Sequence, residues 1–320
     1  QFPQEKELKG EVIELDTALF RYPFRIRIEG DKAIVLDLHG SDYYGHLFQY
    51  PSFRYLSSFG RRGDSPLEML SMENFRLHNH TLWTLDANKS ELTRLDFSSS
   101  GDSLLREETV ALDEDILRPL DFAIYNDTTF VIPDYSGESR FLKVDCKGKL
   151  IEKIGTIPTT NKKALQEARP ALAQAWRSFL DYNSHNSVLA TVTQLGEVVE
   201  IYNLKDSTHV IRVGEYDEPE FKVSDGYGIP TGIMGFSDVQ VTDDAIYAVF
   251  HGTSFKDIAR QSGRLPDGGK YIYVFSLKGE PLCKYVLDHY IYGIWVDEVT
   301  KTIMATDVNN DQPILKFSFG

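Results

Sequence analysis

Residues 24–37 read FRIRIEGDKAIVLD: a half-apolar run, a turn at Gly30 and Asp31, and a second run rich in β-branched residues. That is the signature of a strand, a tight turn and a returning strand. The layout recurs as NFRLHNHTLWTLD (74–86), FAIYNDTTFVIPD (122–134), SFLDYNSHNSVLATV (178–192), SDVQVTDDAIYAVF (237–250) and YGIWVDEVTKTIMATD (292–307). Taking Gly30, Asn79, Asp127, Ser184, Asp243 and Glu298 as turn markers, the spacings are 49, 48, 57, 59 and 55 residues. Periods of ~40–50 residues belong to four-stranded propeller blades, so the surplus in the later units is loop. The expected fold is all-β, one six-bladed β-propeller domain over residues 1–320.

A third strand and usually a fourth follow each hairpin, as in RFLKVDCKGKLIEKIG and YIYVFSLKGEPLCKYVL, where Gly148 and Gly279 sit at the reversal. The last unit stops after ILKFSF, so its fourth strand must come from elsewhere. Residues 10–16, GEVIELD, have the pattern to supply it and close the ring. Residues 1–9 then read as a polar tether. One helical insertion is expected at 161–173, NKKALQEARPALA, where Leu165, Ala168 and Leu172 fall at helical spacing and Pro170 interrupts the run. Its expected place is over the gap between blades three and four.

Composition excludes several classes. With 34 Lys and Arg against 48 Asp and Glu, the net charge is −14, and that field repels phosphate backbones, so no nucleic-acid partner is expected. No apolar run reaches the ~18–20 residues of a transmembrane helix, and QFPQEKELKG carries no signal-peptide pattern. Cys146 and Cys283 fall in units three and five, with a whole blade between them, too far apart for a disulfide.

The second strand of a blade ends on the face carrying the interblade connections, near the axis. Four of them end in Asp: Asp37, Asp86, Asp134 and Asp307, with Thr193 and His251 at the other two places and His39 just past Asp37. Carboxylates around one axis either raise their pKa values or recruit a cation, and calcium takes such oxygen ligands. Asp also stops strands and bonds the adjacent turn, and that reading carries more weight. No metal or other cofactor is therefore expected, with calcium at Asp37, Asp86, Asp134 and Asp307 as the alternative. Tyr227, in a Gly-rich aromatic stretch, joins His39, His251 and the four Asp as candidate binding residues on the channel face. No GxSxG, HExxH, P-loop or GxGxxG motif is present, so no catalytic residue is assigned. The string RGDSP, residues 62–66, lies in the connection between the first two blades, where Gly60, Gly63 and Pro66 serve the backbone path.

That connection also carries a resemblance. GRRGDSPLEM, residues 60–69, resembles the G-basic-x-G-x-G-P-x-E-F motif of NHL-like and TolB-like six-bladed propellers, with Ser65 in place of Gly and Met69 in place of Phe. Residues 226–252 and 270–307 are similar to the TolB-like six-bladed propellers of Bacteroides-type envelope proteins. The resemblance implies a secreted or lipid-anchored protein of the periplasm or outer-membrane surface. The closed scaffold, the lack of a catalytic motif and the aromatic, Gly-rich loop around Tyr227 favour a non-enzymatic binding or scaffold module, with a protein, peptide or glycan ligand at the channel face. The alternative is a calcium-dependent hydrolase resembling lactonase-type propellers, with the four Asp as ligands and His39 or His251 as base.

Overall fold

The computed structural model describes residues 1–16, 20–263 and 265–320. Two short strands come first, β1 (Glu5–Leu8) and β2 (Glu11–Ile13). Blade one is β3 (Pro23–Glu29), β4 (Lys32–Asp37), β5 (Tyr43–Gln49) and β6 (Arg54–Arg61); blade two is β7 (Met72–His78), β8 (Thr81–Asp86), β9 (Glu91–Phe97) and β10 (Leu104–Ala111). Blade three is β11 (Ala123–Asn126), β12 (Thr129–Pro133), β13 (Phe141–Asp145) and β14 (Leu150–Ile154). Helices α1 (Lys162–Glu167) and α2 (Arg169–Ala175) lead into blade four, β15 (Ser178–Asn183), β16 (Val188–Thr193), β17 (Val198–Asn203) and β18 (Thr208–Val213). A separate hairpin, β19 (Phe221–Ser224) and β20 (Tyr227–Pro230), precedes blade five. That blade is β21 (Phe236–Val241), β22 (Ala245–Phe250), β23 (Gly269–Ser276) and β24 (Pro281–Ile291), with α3 (Phe255–Gln261) after β22. Blade six is β25 (Ile294–Asp297), β26 (Thr302–Thr306) and β27 (Ile314–Ser318).

Each blade is an antiparallel meander, and the expected six-bladed ring is the observed one. Second strands such as β16 and β22 are buried at every residue, because both faces pack against neighbouring blades. Ring closure is also as expected: β2 pairs antiparallel with β27, Val12 opposite Leu315. The ladder is only three residues long, and the Gln312 amide extends it by accepting from the Leu15 N–H and donating to the Leu15 carbonyl.

Residues 1–9 are not a free tether. β1 adds to blade five as a parallel fifth strand on β24, Glu5 opposite Lys284 and Leu8 opposite Leu287. Leu8 is buried in the core shared by blades five and six, and Phe2 packs on Tyr273 and Phe275 with ring centroids 4.7 and 5.4 Å away. The pairing is made by backbone groups on an open strand edge, so the charged side chains of EKEL gave no sign of it. The helical insertion splits in two at Ala168, with Pro170 in the first turn of α2, a position where its missing N–H costs nothing. Leu172, Ala173, Ala175 and Trp176 pack it down between blades three and four. A further helix, α3, was not expected; it buries no residue and starts at the Ser254 cap, whose hydroxyl accepts from the Asp257 N–H.

The first strands line the axis, running from the connection face towards the hairpin face. They are tied by the same device used twice. Asp238 in blade five accepts from its neighbour Val239 and from Ile294 N–H of blade six, while Arg27 of blade one donates to Asp238 at 3.1 and 3.0 Å and to the Ile294 carbonyl. Asp121 before blade three accepts from Phe122 and from Leu180 N–H of blade four, while Arg76 of blade two donates to Asp121 and to the Leu180 carbonyl. Each arginine–aspartate clamp thus joins three blades. Asp181 of blade four links the two halves by accepting from Val241 N–H of blade five.

Candidate functional site

The four strand-ending carboxylates do not converge on a cation. Asp37 accepts from the backbone N–H groups of Arg21, Tyr22 and His39, and Asp86 from those of Leu70, Ser71, Asn88 and Lys89. Each fastens the incoming connection of its own blade to the end of the second strand. Asp134 takes the N–H and hydroxyl groups of Ser136 and Ser139, and Asp307 the N–H and amide of Asn309. Among the described residues no group of three or more His, Cys, Asp or Glu is placed to hold a metal ion.

Two of the other candidates, His39 and His251, stand at the two ends of one chain of rings. His39 lies 5.0 Å from the Tyr22 ring, Tyr22 lies 5.8 Å from Tyr292, and His251 stands edge-on to Tyr292 at 5.6 Å. The Tyr22 hydroxyl donates to Asp267, whose backbone is held by the Asn309 amide beside Asp307. Blades one, five and six thereby build an aromatic and imidazole mouth at the connection face of the channel. Burial lowers His251 to about 4, so the ring is neutral, and its Nε2 has no hydrogen-bond partner among the described residues. Burial and the neighbouring Tyr292 push the Tyr22 hydroxyl well above the ordinary tyrosine range. Below them Arg25, 1% exposed, is held between the rings of Phe24 and Phe179 at 4.7 and 4.4 Å, 3.6 Å from Asp238. Desolvation lowers its pKa, a direction that marks how little else compensates its charge.

Tyr227 stands apart from this mouth. It opens β20, is 62% exposed, and belongs to a hairpin whose Gly228 sits against the backbone of Ala171 in α2. Sequence reasoning missed Tyr22, Tyr292, Asp267 and the channel arginines. The one available signal was the pair of cations at alternate positions in FRIRIE, which a strand must send to a single face.

A wider groove of about 720 Å³ opens between blades four and five, walled by Phe236, Tyr273, Glu197 and Arg212 and flanked by the chain's own Phe2. The RGDSP string does not present its arginine: the Arg62 guanidinium lies 3.6 Å over the Tyr44 ring and donates to the Leu38 carbonyl. Cys146 is exposed, Cys283 is buried, and both are free thiols.

The sequence matches the TolB-like 6-blade propeller-like family over residues 1–299. The chain belongs to that family. Among curated proteins none matches it. The TolB-like ring is shared by solved structures of low identity, which bear on the fold alone. A Bacteroides fragilis protein described as exported aligns over 98% of both chains with a TM-score of 0.61 and 12% identity. An auxiliary nutrient binding protein from Bacteroides ovatus aligns over 94% of this chain and 70% of its own, with a TM-score of 0.57 and 10% identity.

Proposed function

We propose that this TolB-like propeller is a non-enzymatic binding module of the bacterial cell envelope, holding a protein, peptide or glycan partner over the connection-face mouth of its channel. The observation that carries the reading is the convergence of Tyr22, His39, His251 and Tyr292 from three blades on that mouth. Aromatic and imidazole groups with polar tips bind partners through area and directed hydrogen bonds together. The carboxylates nearby already accept backbone N–H groups, so they serve the fold. The same reading puts the protein in the periplasm or on the outer-membrane surface, with a lipid anchor on its precursor; export, though not the anchor, is supported by the Bacteroides fragilis neighbour described as exported.

The test is a glycan array and an envelope-peptide library probed with the parent and with the Tyr22→Ala, His39→Ala double variant. Binding that falls about tenfold or more in the double variant, at unchanged melting temperature, supports the reading; each lost aromatic contact contributes on the order of 1 kcal/mol. Binding unchanged in the double variant would refute it.

A further inference from the structure

We propose that the opposite, hairpin-face mouth of the channel is a second binding site, for a neutral polyhydroxylated ligand the size of one sugar ring. A cavity of about 200 Å³ opens there, lined by Arg27, Glu29, Arg76, Asp181, Gln240 and Trp295. At ~30 Å³ per water, that is space for about seven waters, which a sugar ring would displace.

The wall carries unused hydrogen-bonding capacity of both signs. Arg76 is 7% exposed; its Nε and Nη2 serve Phe122, Asp121 and Leu180, and its Nη1 has no partner among the described residues. Asp181 spends Oδ2 on Val241 N–H and leaves Oδ1 4.0 Å from that same Nη1. Glu29 Oε2 is likewise buried without a partner. A hydroxyl placed at the 4.0 Å gap accepts from the guanidinium and donates to the carboxylate at once.

Charge and the unused donor together decide against the simpler ligands. Arg27 is neutralised by Asp238 and Arg76 by Asp121, leaving the carboxylates of Asp181 and Glu29 to repel an anion. A cation meets no net repulsion, but it can use only the carboxylates and leaves the Arg76 Nη1 donor without a partner, which a hydroxyl satisfies together with Asp181. Burial raises the Asp181 pKa beyond what Arg76 and Arg27 offset, so the carboxylate gains from any donor brought to it. The Trp295 indole, in a T-shaped contact with Tyr50 at 5.7 Å, lines the cavity and supplies apolar surface for the C–H groups of a sugar.

The site is independent of the connection-face reading, and its test separates the two. Glucose, galactose, mannose and N-acetylglucosamine are titrated by calorimetry and ligand-observed NMR, beside sodium acetate and ethylammonium chloride. At least one sugar is expected to bind saturably. Asp181→Asn retains an acceptor for Val241 N–H, and with Trp295→Ala it should weaken binding by about tenfold or more, the scale of one hydrogen bond to a charged group. Tyr22→Ala should leave it unchanged. Binding of acetate or ethylammonium alone, no sugar binding, or sugar binding untouched by Asp181→Asn overturns the inference. Loss in Tyr22→Ala with retention in Asp181→Asn overturns it too, by moving the ligand to the other mouth.

Discussion

Asp238→Ala is expected to be among the most damaging single substitutions in the ring. The carboxylate is 2% exposed and takes two hydrogen bonds from Arg27, one from Ile294 N–H and one from Val239 N–H, with Arg25 3.6 Å away. Removing one partner of a buried ion pair costs about 3–5 kcal/mol, because the other charge stays behind uncompensated. The orphaned Ile294 N–H adds about 1–3 kcal/mol. The two overlap, so the expected loss is roughly 4–6 kcal/mol, or a melting temperature lower by roughly 10 °C for a chain of this size. The assay is urea and thermal unfolding of parent and variant, with Asp243→Ala as control; Asp243 lies on the exposed β21–β22 turn and should cost ~1 kcal/mol or less. The pair also gives a pH signature. Burial opposes the Asp238 charge, but Arg25 and Arg27 outweigh it and hold the carboxyl below its ordinary 3.8. A depressed carboxyl pKa contributes stability that is complete above the unfolded value and lost as pH falls through the folded one. The parent should therefore lose more stability below pH ~4 than the variant does. A loss under ~1.5 kcal/mol in Asp238→Ala would mean the clamp contributes only local hydrogen bonding, and the account of the channel would fail.

His46 and His251 are both lowered by burial from 6.5 to about 4, so their neutral forms stabilise the fold above pH 6.5 and that contribution drains away as pH falls towards 4; His251→Gln should flatten the melting-temperature profile across that window. Asp86→Asn, with four backbone N–H groups on the carboxylate, should cost about 1.5–3 kcal/mol, while calcium or chelator leaves the parent's melting curve in place; a calcium-dependent rise abolished by the variant would restore the metal reading. Deleting residues 1–16 removes β1, β2 and the Leu15–Gln312 clamp and should cause aggregation in light scattering through the bared β27 edge. Deleting 1–8 alone should lower the melting temperature without aggregation, since β2 still covers β27 and the bared β24 becomes an outer blade strand like β6, β10, β14 and β18.

The two clamps explain how a ring with short first strands holds its axis. β11 and β25 have only four residues each, too few for backbone ladders and apolar contacts alone to fix one blade against the next. Side chains do it instead, and each guanidinium spans blades that are not neighbours in the chain, Arg27 to Asp238 over 211 residues and Arg76 to Leu180 over 104.

The sequence alone determined the six blades, their hairpins and the strand that closes the ring. Those are local patterns: alternation, turn residues and spacing act within one unit, and the β-branched pair Val12 and Ile13 marks a pairing strand wherever it docks. The hydrogen bonds of the strand-ending Asp are local too, because an Asp at a strand end finds its N–H partners within a few residues or in the adjoining connection, as Asp134 does with Ser136 and Ser139. The rest was decided by tertiary structure. Tyr22, His251, Asp267 and Tyr292 lie in different blades or connections, and only closure of the ring brings them to one mouth. The same holds for Arg76, Asp181 and Trp295 at the other. EKEL shows no strand pattern because its partner is an edge made of backbone groups on β24. Which carboxylate each channel arginine meets is set by which blades face each other across the axis, a distance that sequence spacing does not measure.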